Sequence, residues 1–500
     1  MTLSKSQYIR GLQCHKSLWL YKNNPELRDA ADHAQESLFN TGHSVGELAK
    51  ELFPNGVEVE FDASNFNGMI AKTKELIANG IEVIYEATFS EDGIFVMVDI
   101  LVKNADAWDM YEVKASTQVK EVHSNDAAIQ WYALSKVIKL NHAYVIHINN
   151  QYVREGALDI EKLFILEDVT DMVLEKQKEI EPELLEMGKM LKKDMPVIDI
   201  AKHCDKPYSC DFSTHCWKHI PKKHSVFDIS YAMGKQWTLY EQGILSIDDV
   251  PDDFHLGANA TLQIKHHKSQ EIKIDTPKIK EFLDSIEYPI NFFDFETFQN
   301  AIPRFDKQRP YAQMPFQYSL HIMYEDGTLE HKEFLGDENS DPREALAKQM
   351  LEDITPTGSI VAYSQGFEKG KIRGLAELFE DLEEELLALN ERFVDIAHPF
   401  QKKHYYHPKF NGRYSIKVVL PVMFPNDDEL DYKKLGSIQN GGDAMDTFAN
   451  LHLLKDSSKI DEIKKDLLAY CRLDTLAMVR IWEKLHQIID RNKYDSNIFL

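Results

Sequence analysis

The chain has 500 residues, more than a single hydrophobic core serves, so two or three domains are expected. With 43% hydrophobic and 28% charged residues it is of ordinary globular composition, and its net charge of −25 argues against a protein that coats nucleic acid by bulk electrostatics. No apolar stretch approaches bilayer-spanning length and the N-terminus, MTLSKSQYIRGLQCHKSLWL, has no signal-peptide core, so a cytoplasmic protein without membrane contact is expected, and its five cysteines are not expected to pair as structural disulfides.

In chain order, LFNTGHSVGELAKELF has helical periodicity and carries His43. EVIYEATF, GIFVMVDILV and AWDMYEVKAS read as three consecutive strands, the first two joined by a turn at EDG. A helix at DAAIQWYALSKVIK, a strand at HAYVIHIN and a long charged helix near 168–193 follow, leading into Cys204, Cys210 and Cys216. Residues 1–222 are thus expected to form one α/β domain. The more polar stretch 223–285 reads as a helical connector, in which TLYEQGILSIDDVP suggests either a helix–hairpin–helix with Gly243 at its turn or a plain helix–loop–helix spacer. Residues 286–500 read as a second α/β domain. Its expected elements are a strand at YPINFFDFETF, a hairpin from FQYSLHIMY to LEHKEFL, a strand GSIVAYS feeding the helix FEKGKIRGLAELF, a short strand at RFVDIAHPF and a long closing helix. Basic clusters at 221–224, 265–268 and 401–409 are candidate groove segments, each of which also fits a solvated loop.

Asp294 and Glu296 sit at i and i+2 of a strand, so both carboxylates share one face. Tyr470 and Asp474 sit at i and i+4 of a helix and also share a face. Glu368 begins a helix just after a strand and can face the same cleft. Carboxylates converging in this way repel unless they hold divalent cations, Mg²⁺ or Mn²⁺, which can activate a water and stabilise the leaving oxygen of a phosphodiester. Tyr470 would orient that water. Asp395 is either a further acid near the cleft or a strand-end aspartate, and Cys471 reads as a packing residue.

This set resembles the DEDD superfamily of 3′→5′ exonucleases, whose fold is RNase H-like. The tyrosine four residues before the last acid marks its tyrosine subclass, and Glu368 stands where that family usually presents aspartate. In the first domain Glu112 and Lys114 alternate on one strand, with Asp99 on the neighbouring strand: two carboxylates for a hard cation and an ammonium to stabilise developing charge. This resembles the PD-(D/E)xK nuclease superfamily and, through Gln130, its RecB-like branch, although Leu134 stands where that branch usually has tyrosine. The resemblance implies that His43 is a metal ligand and Glu86 a further acid of the site.

Cys14, Cys204, Cys210 and Cys216 can join the two ends of the first domain around zinc or an iron–sulfur cluster. Nucleases of the CRISPR-associated and AddB type place one cysteine before and three after a RecB-like core, which implies a [4Fe–4S] cluster. The wide trailing spacing leaves zinc open, with His203, His215 and His219 as spare ligands. The two halves together resemble an uncharacterised bacterial family, domain of unknown function 2779, to which GRYSIKVVLP and LAYCRLDTLAMVRIWEKL are close. The expected function is metal-dependent nucleic-acid hydrolysis, with DNA favoured over RNA. The alternatives are an RNA exonuclease whose N-terminal domain only binds substrate, and a non-catalytic nucleic-acid scaffold.

Overall fold

The computed structural model describes residues 2–30 and 33–496. It is a mixed α/β protein of two compact units, Met1–His219 with Asn300–Ala312, and Ile220–Gln299 with Gln313–Leu500. No helix among the described residues is long and apolar enough to cross a membrane.

The first unit is built on one sheet. Its strands are β1 (Leu3–Ser4), β2 (Val57–Glu58), β3 (Val83–Glu91), β4 (Ile94–Asn104), β5 (Ala107–Lys114), β6 (Leu140–Ile148) and β7 (Phe164–Asp168). Their order is β2-β3-β4-β5-β6-β7, with β1 added parallel to β4. β3 and β4 are antiparallel and turn through Asp92 and Gly93, both at positive φ, the geometry a tight hairpin demands. β5 runs parallel to β6, so the chain between them crosses over as a helix. The unit's principal helices are α1 (Lys5–Gln13), α2 (His15–Asn23), α3 (His33–Ala49), α4 (Phe66–Ala78), α5 (Glu121–Leu134) and α6 (Thr170–Met190). One core gathers Leu18, Met69, Ile129, Val173 and Ile180 against β3–β6; a second packs Val45 and Ala49 of α3 on Tyr85, Ile100 and Tyr111.

In the second unit, the stretch expected to be a polar connector has a small apolar core of its own: Val226, Leu239, Ile247, Ala260 and Ile264. Its helices include α7 (Lys235–Glu241) and α8 (Ala258–Ser269), and a further helix spans Thr276–Leu283. Gly243 does turn the chain at φ +78°, but a single 3-10 turn over Ile247–Asp249 stands where a helix–hairpin–helix would place its second helix. β8 (Lys273–Ile274) pairs with a short strand, Tyr405–Tyr406, labelled β14 below. The main sheet follows with β9 (Ile290–Phe298), β10 (Met314–Met323), β11 (Leu329–Leu335), β12 (Ile360–Ala362) and β13 (Phe393–Asp395), in the order β11-β10-β9-β12-β13, and β14 comes last in sequence. β11, β10 and β9 are antiparallel, whereas β12 is parallel to β9 and to β13. Helices α9 (Arg343–Asp353) and α10 (Gly366–Leu378) cover the core of Phe293, Phe295, Tyr318 and Leu320. α11 (Ile416–Met423), α12 (Gly441–Leu451) and the long α13 (Ser457–Ser496) complete the unit. α13 is tied to β10 by hydrogen bonds from Gln317 Nε2 to the Leu467 carbonyl (2.8 Å) and between Ser319 and Thr475 (2.7 Å).

Candidate metal centres

The two-residue period of β9 turns Asp294 and Glu296 to one face, and α13 brings Asp474 to them. One carboxylate oxygen of each of the three lies within 4.8 Å of the others. They line a cleft of about 340 Å³ together with Glu368, Tyr470 and Lys417. Glu368 stands in the first turn of α10; its Oε2 is buried and has no hydrogen-bond partner among the described residues. Asp395 accepts from the backbone N–H groups of Ser364 (3.0 Å) and Ala397 (2.9 Å), and so fixes the loop that leads into α10. Cys471 is fully buried behind β9.

Two unit charges 4.8 Å apart repel by about 3.5 kcal/mol at an effective dielectric of about 20, so three neighbouring carboxylates cannot all ionise without a compensating cation. Burial and then the neighbouring acids push Asp294 and Glu296 well above the ordinary carboxylate range. Burial raises Asp474 to about 6 despite a 2.5 Å hydrogen bond from the Tyr432 hydroxyl. Burial also raises Glu368 to about 8, aided by Asp395. Tyr470 is held far above its ordinary value by burial and by Asp474, so its hydroxyl stays protonated.

In the first unit Glu112 is 1% exposed and accepts on both oxygens. Lys5 (2.6 Å) and Lys114 (2.8 Å) donate to Oε1, and Gln130 (2.5 Å) donates to Oε2. Lys114 also donates to Asp126 (2.6 Å), and Asp99 accepts from the Val113 N–H (2.6 Å). Burial opposes ionisation of Glu112, yet Lys114 and Lys5 hold it below the carboxylate range. Burial and Glu112 raise Asp99 to about 6, and burial and Asp99 raise Glu86 to about 7. Glu86 faces Asp99 across the β3–β4 ladder at φ +54°, a left-handed conformation that costs a non-glycine residue on the order of 1–3 kcal/mol and clusters at functional sites. Lys5, Lys50 and Lys114 offset part of the charge of these acids. His43 lies exposed on α3, and no hydrogen bond or ion pair among the described residues joins it to this cluster.

Cys14 breaks the chain between α1 and α2 and lines one small pocket with Cys204, Cys210 and Cys216. Burial raises the thiols of Cys14, Cys204 and Cys216. Gln13 Nε2 holds the intervening loop through the carbonyls of His203 (2.8 Å) and Tyr208 (2.7 Å), and Asp211 is clamped by Arg10 and Arg28. Among the described residues the acidic trio is the one group of candidate ligands packed within 4.8 Å, so no three of these sulfurs stand that close.

Four residues of these sites carry no assignment from the sequence. Asp126 was readable one helical turn before Gln130. Lys5, Lys417 and Tyr432 are reached only through the fold, because a lone basic or aromatic residue near a helix start has no local signature.

A family model described as a domain of unknown function (DUF2779) matches residues 291–415. That stretch holds Asp294, Glu296 and Glu368 and ends before Lys417, Tyr470 and Asp474. An uncharacterized protein of Ureaplasma parvum serovar 3 is 27% identical over 303 residues, covering 55% of this chain and 42% of that protein. An uncharacterized protein of Mycoplasma pneumoniae is 25% identical over 222 residues, 41% of this chain and 33% of that protein. The chain thus spans less than half the length of the curated relatives it matches. No solved structure matches it.

Proposed function

We propose that the chain is a metal-dependent nuclease. Its second unit is read as an RNase H-like 3′→5′ exonuclease of the DEDD type, and its first as a PD-(D/E)xK nuclease with a four-cysteine iron–sulfur clip. DNA ends are the favoured substrate, because the first unit's motifs resemble those of RecB-like nucleases. The observation that carries this reading is the convergence of Asp294, Glu296 and Asp474 in one cleft beside Tyr470.

The donor set fits a hard divalent cation: oxygen ligands throughout, held against their own repulsion, with the unpartnered Glu368 Oε2 as a further acceptor. Bound Mg²⁺ or Mn²⁺ would supply Lewis-acid stabilisation of the phosphodiester and a more acidic water. Asp294, Glu296, Glu368 and Asp474 would hold it. Tyr470 keeps its proton, so it acts as a hydrogen-bond donor and not as a base. In the first unit Glu86, Asp99 and Glu112 are the corresponding acids, and Lys114 is the charge that meets the phosphate.

The four thiols also fit a metal group. Four cysteines around one pocket fit either a zinc or an iron–sulfur cluster, and the resemblance to iron–sulfur nucleases favours the cluster. A second reading, in which the first unit only grips an RNA substrate, draws support from Glu112, whose two oxygens are already taken by protein donors.

The test is incubation of the anaerobically purified chain with end-labelled DNA and RNA in Mg²⁺ or Mn²⁺. Stepwise shortening from the 3′ end, faster on DNA, is expected. Intact substrate with every metal and strand would remove the nuclease reading.

A further inference from the structure

Lys417 is the one lysine or arginine among the described residues that line the acidic cleft of the second unit. It enters from the first turn of α11, half-buried. Its ammonium donates to the Tyr470 hydroxyl oxygen at 2.8 Å and to the Gln439 carbonyl at 3.4 Å. It also lies over two aromatic faces, 4.8 Å from the Tyr470 ring centroid and 5.0 Å from that of Tyr432, the geometry of a cation–π contact. Four contacts from three residues fix one ammonium in place.

An ammonium can only donate, so the Tyr470 oxygen accepts and its single proton must point elsewhere. The Tyr432 hydroxyl meanwhile donates to Asp474. The hydrogen bonds therefore run in one direction, from Lys417 to Tyr470, and the Tyr470 hydroxyl turns its proton into the cleft, where the Asp474 carboxylate accepts it. A phenol that accepts from a cation is also polarised into a stronger donor.

We propose that Lys417 is a positioning residue of this site: it fixes the Tyr470 hydroxyl as a hydrogen-bond donor into the cleft, where the reacting water or phosphate oxygen would lie, and the two residues act as one unit. This rests on the nuclease reading above. A lysine serving merely as counter-charge to the acids would act independently of Tyr470, and so the two roles separate.

The experiment compares Lys417→Met, Tyr470→Phe, their double variant, Lys417→Arg and Asp474→Ala in full-length protein, with kcat and KM resolved on a 3′-labelled strand in Mg²⁺. Calorimetric Mn²⁺ binding and thermal melting are read alongside. Lys417→Met and Tyr470→Phe should each lower kcat by about 10²-fold with KM nearly unchanged. The double variant should be no slower than either single one. Lys417→Arg, which still donates, should recover much of the rate, while Mn²⁺ affinity and melting hold. Lys417→Gln is the second variant, read in the same way, should Lys417→Met fold poorly. A Lys417→Met enzyme at the wild-type rate, or a double variant whose losses multiply, would overturn the proposal while an inactive Asp474→Ala leaves the nuclease reading standing. An Asp474→Ala enzyme that still cuts at full rate removes that reading and this role together.

Discussion

Glu368 has a buried carboxyl oxygen with no partner and an ordinary pKa lifted to about 8, and it faces a cleft already holding three convergent acids. Its proton links folding to pH. The folded chain keeps that proton where an unfolded glutamate has lost it, so stability falls as pH rises toward 8. Buried histidines work the other way: burial lowers His321 to about 3 and His331 to about 4, and their contribution is complete above the ordinary histidine value near 6.5. Between pH 6.5 and 8 the histidines therefore add nothing, and the slope belongs to the raised carboxyls, Glu368 together with Asp294, Glu296 and Glu86. Metal-free protein should lose on the order of 2 kcal/mol of stability across that window. Saturating Mg²⁺ should abolish the loss, because bound cation replaces the proton. Chemical denaturation with and without chelator checks this; a chelated protein whose stability is flat from pH 6.5 to 8 would mean that Glu368 is not protonated in the fold.

At the scale of elements, the cysteine site depends on a break and a loop. Cys14 ends α1 and starts α2, while the loop carrying Cys204 and Cys210 is pinned by Gln13 on α1. Closing this site joins the two ends of the first unit, which constrains the unfolded chain, so metal loading and folding of that unit should be linked. Anaerobic preparations should be brown, with iron and sulfide near about four each per chain. Cys14→Ala should bleach the protein and lower the melting of the first unit while leaving that of the second in place. A colourless preparation with one tightly bound zinc would contradict the cluster but keep the four-thiol clip. The elements around these sites differ in how legible they were. α13 and β9 carry strong periodicity, and Asp294, Glu296, Tyr470 and Asp474 could be read from spacing within a single element. β1 and β2 are two residues long, too short for any period to register. The 223–285 stretch reads as polar because its apolar core is small and its residues are scattered over short turns. Lys5 reaches Glu112, and Lys417 reaches Tyr470, across more than fifty residues of sequence, a distance that local pattern does not cover.

For the whole molecule, residues 300–312 leave the sheet of the second unit between β9 and β10 and pack with the first unit. Arg154 donates to the carbonyls of Pro303 and Arg304, and the Tyr311 hydroxyl donates to the Ala115 carbonyl, beside the strand that carries Glu112 and Lys114. Chain order alone assigns that excursion to the second domain, so its membership was not readable from sequence. If each unit holds its own hydrolytic site, as proposed, two activities should separate in one assay. Wild type, Asp294→Ala/Asp474→Ala and Lys114→Ala proteins are compared for Mg²⁺-dependent cleavage of strands labelled at either end, with circular dichroism to verify folding. The double variant should lose 3′ shortening by about 10³-fold or more yet stay folded, because the substitutions remove carboxylates of the cleft and not packing groups. Lys114→Ala should lose a separate cleavage while 3′ shortening continues. Undiminished 3′ shortening by the folded double variant would mean that the acidic cleft of the second unit is not the exonuclease site.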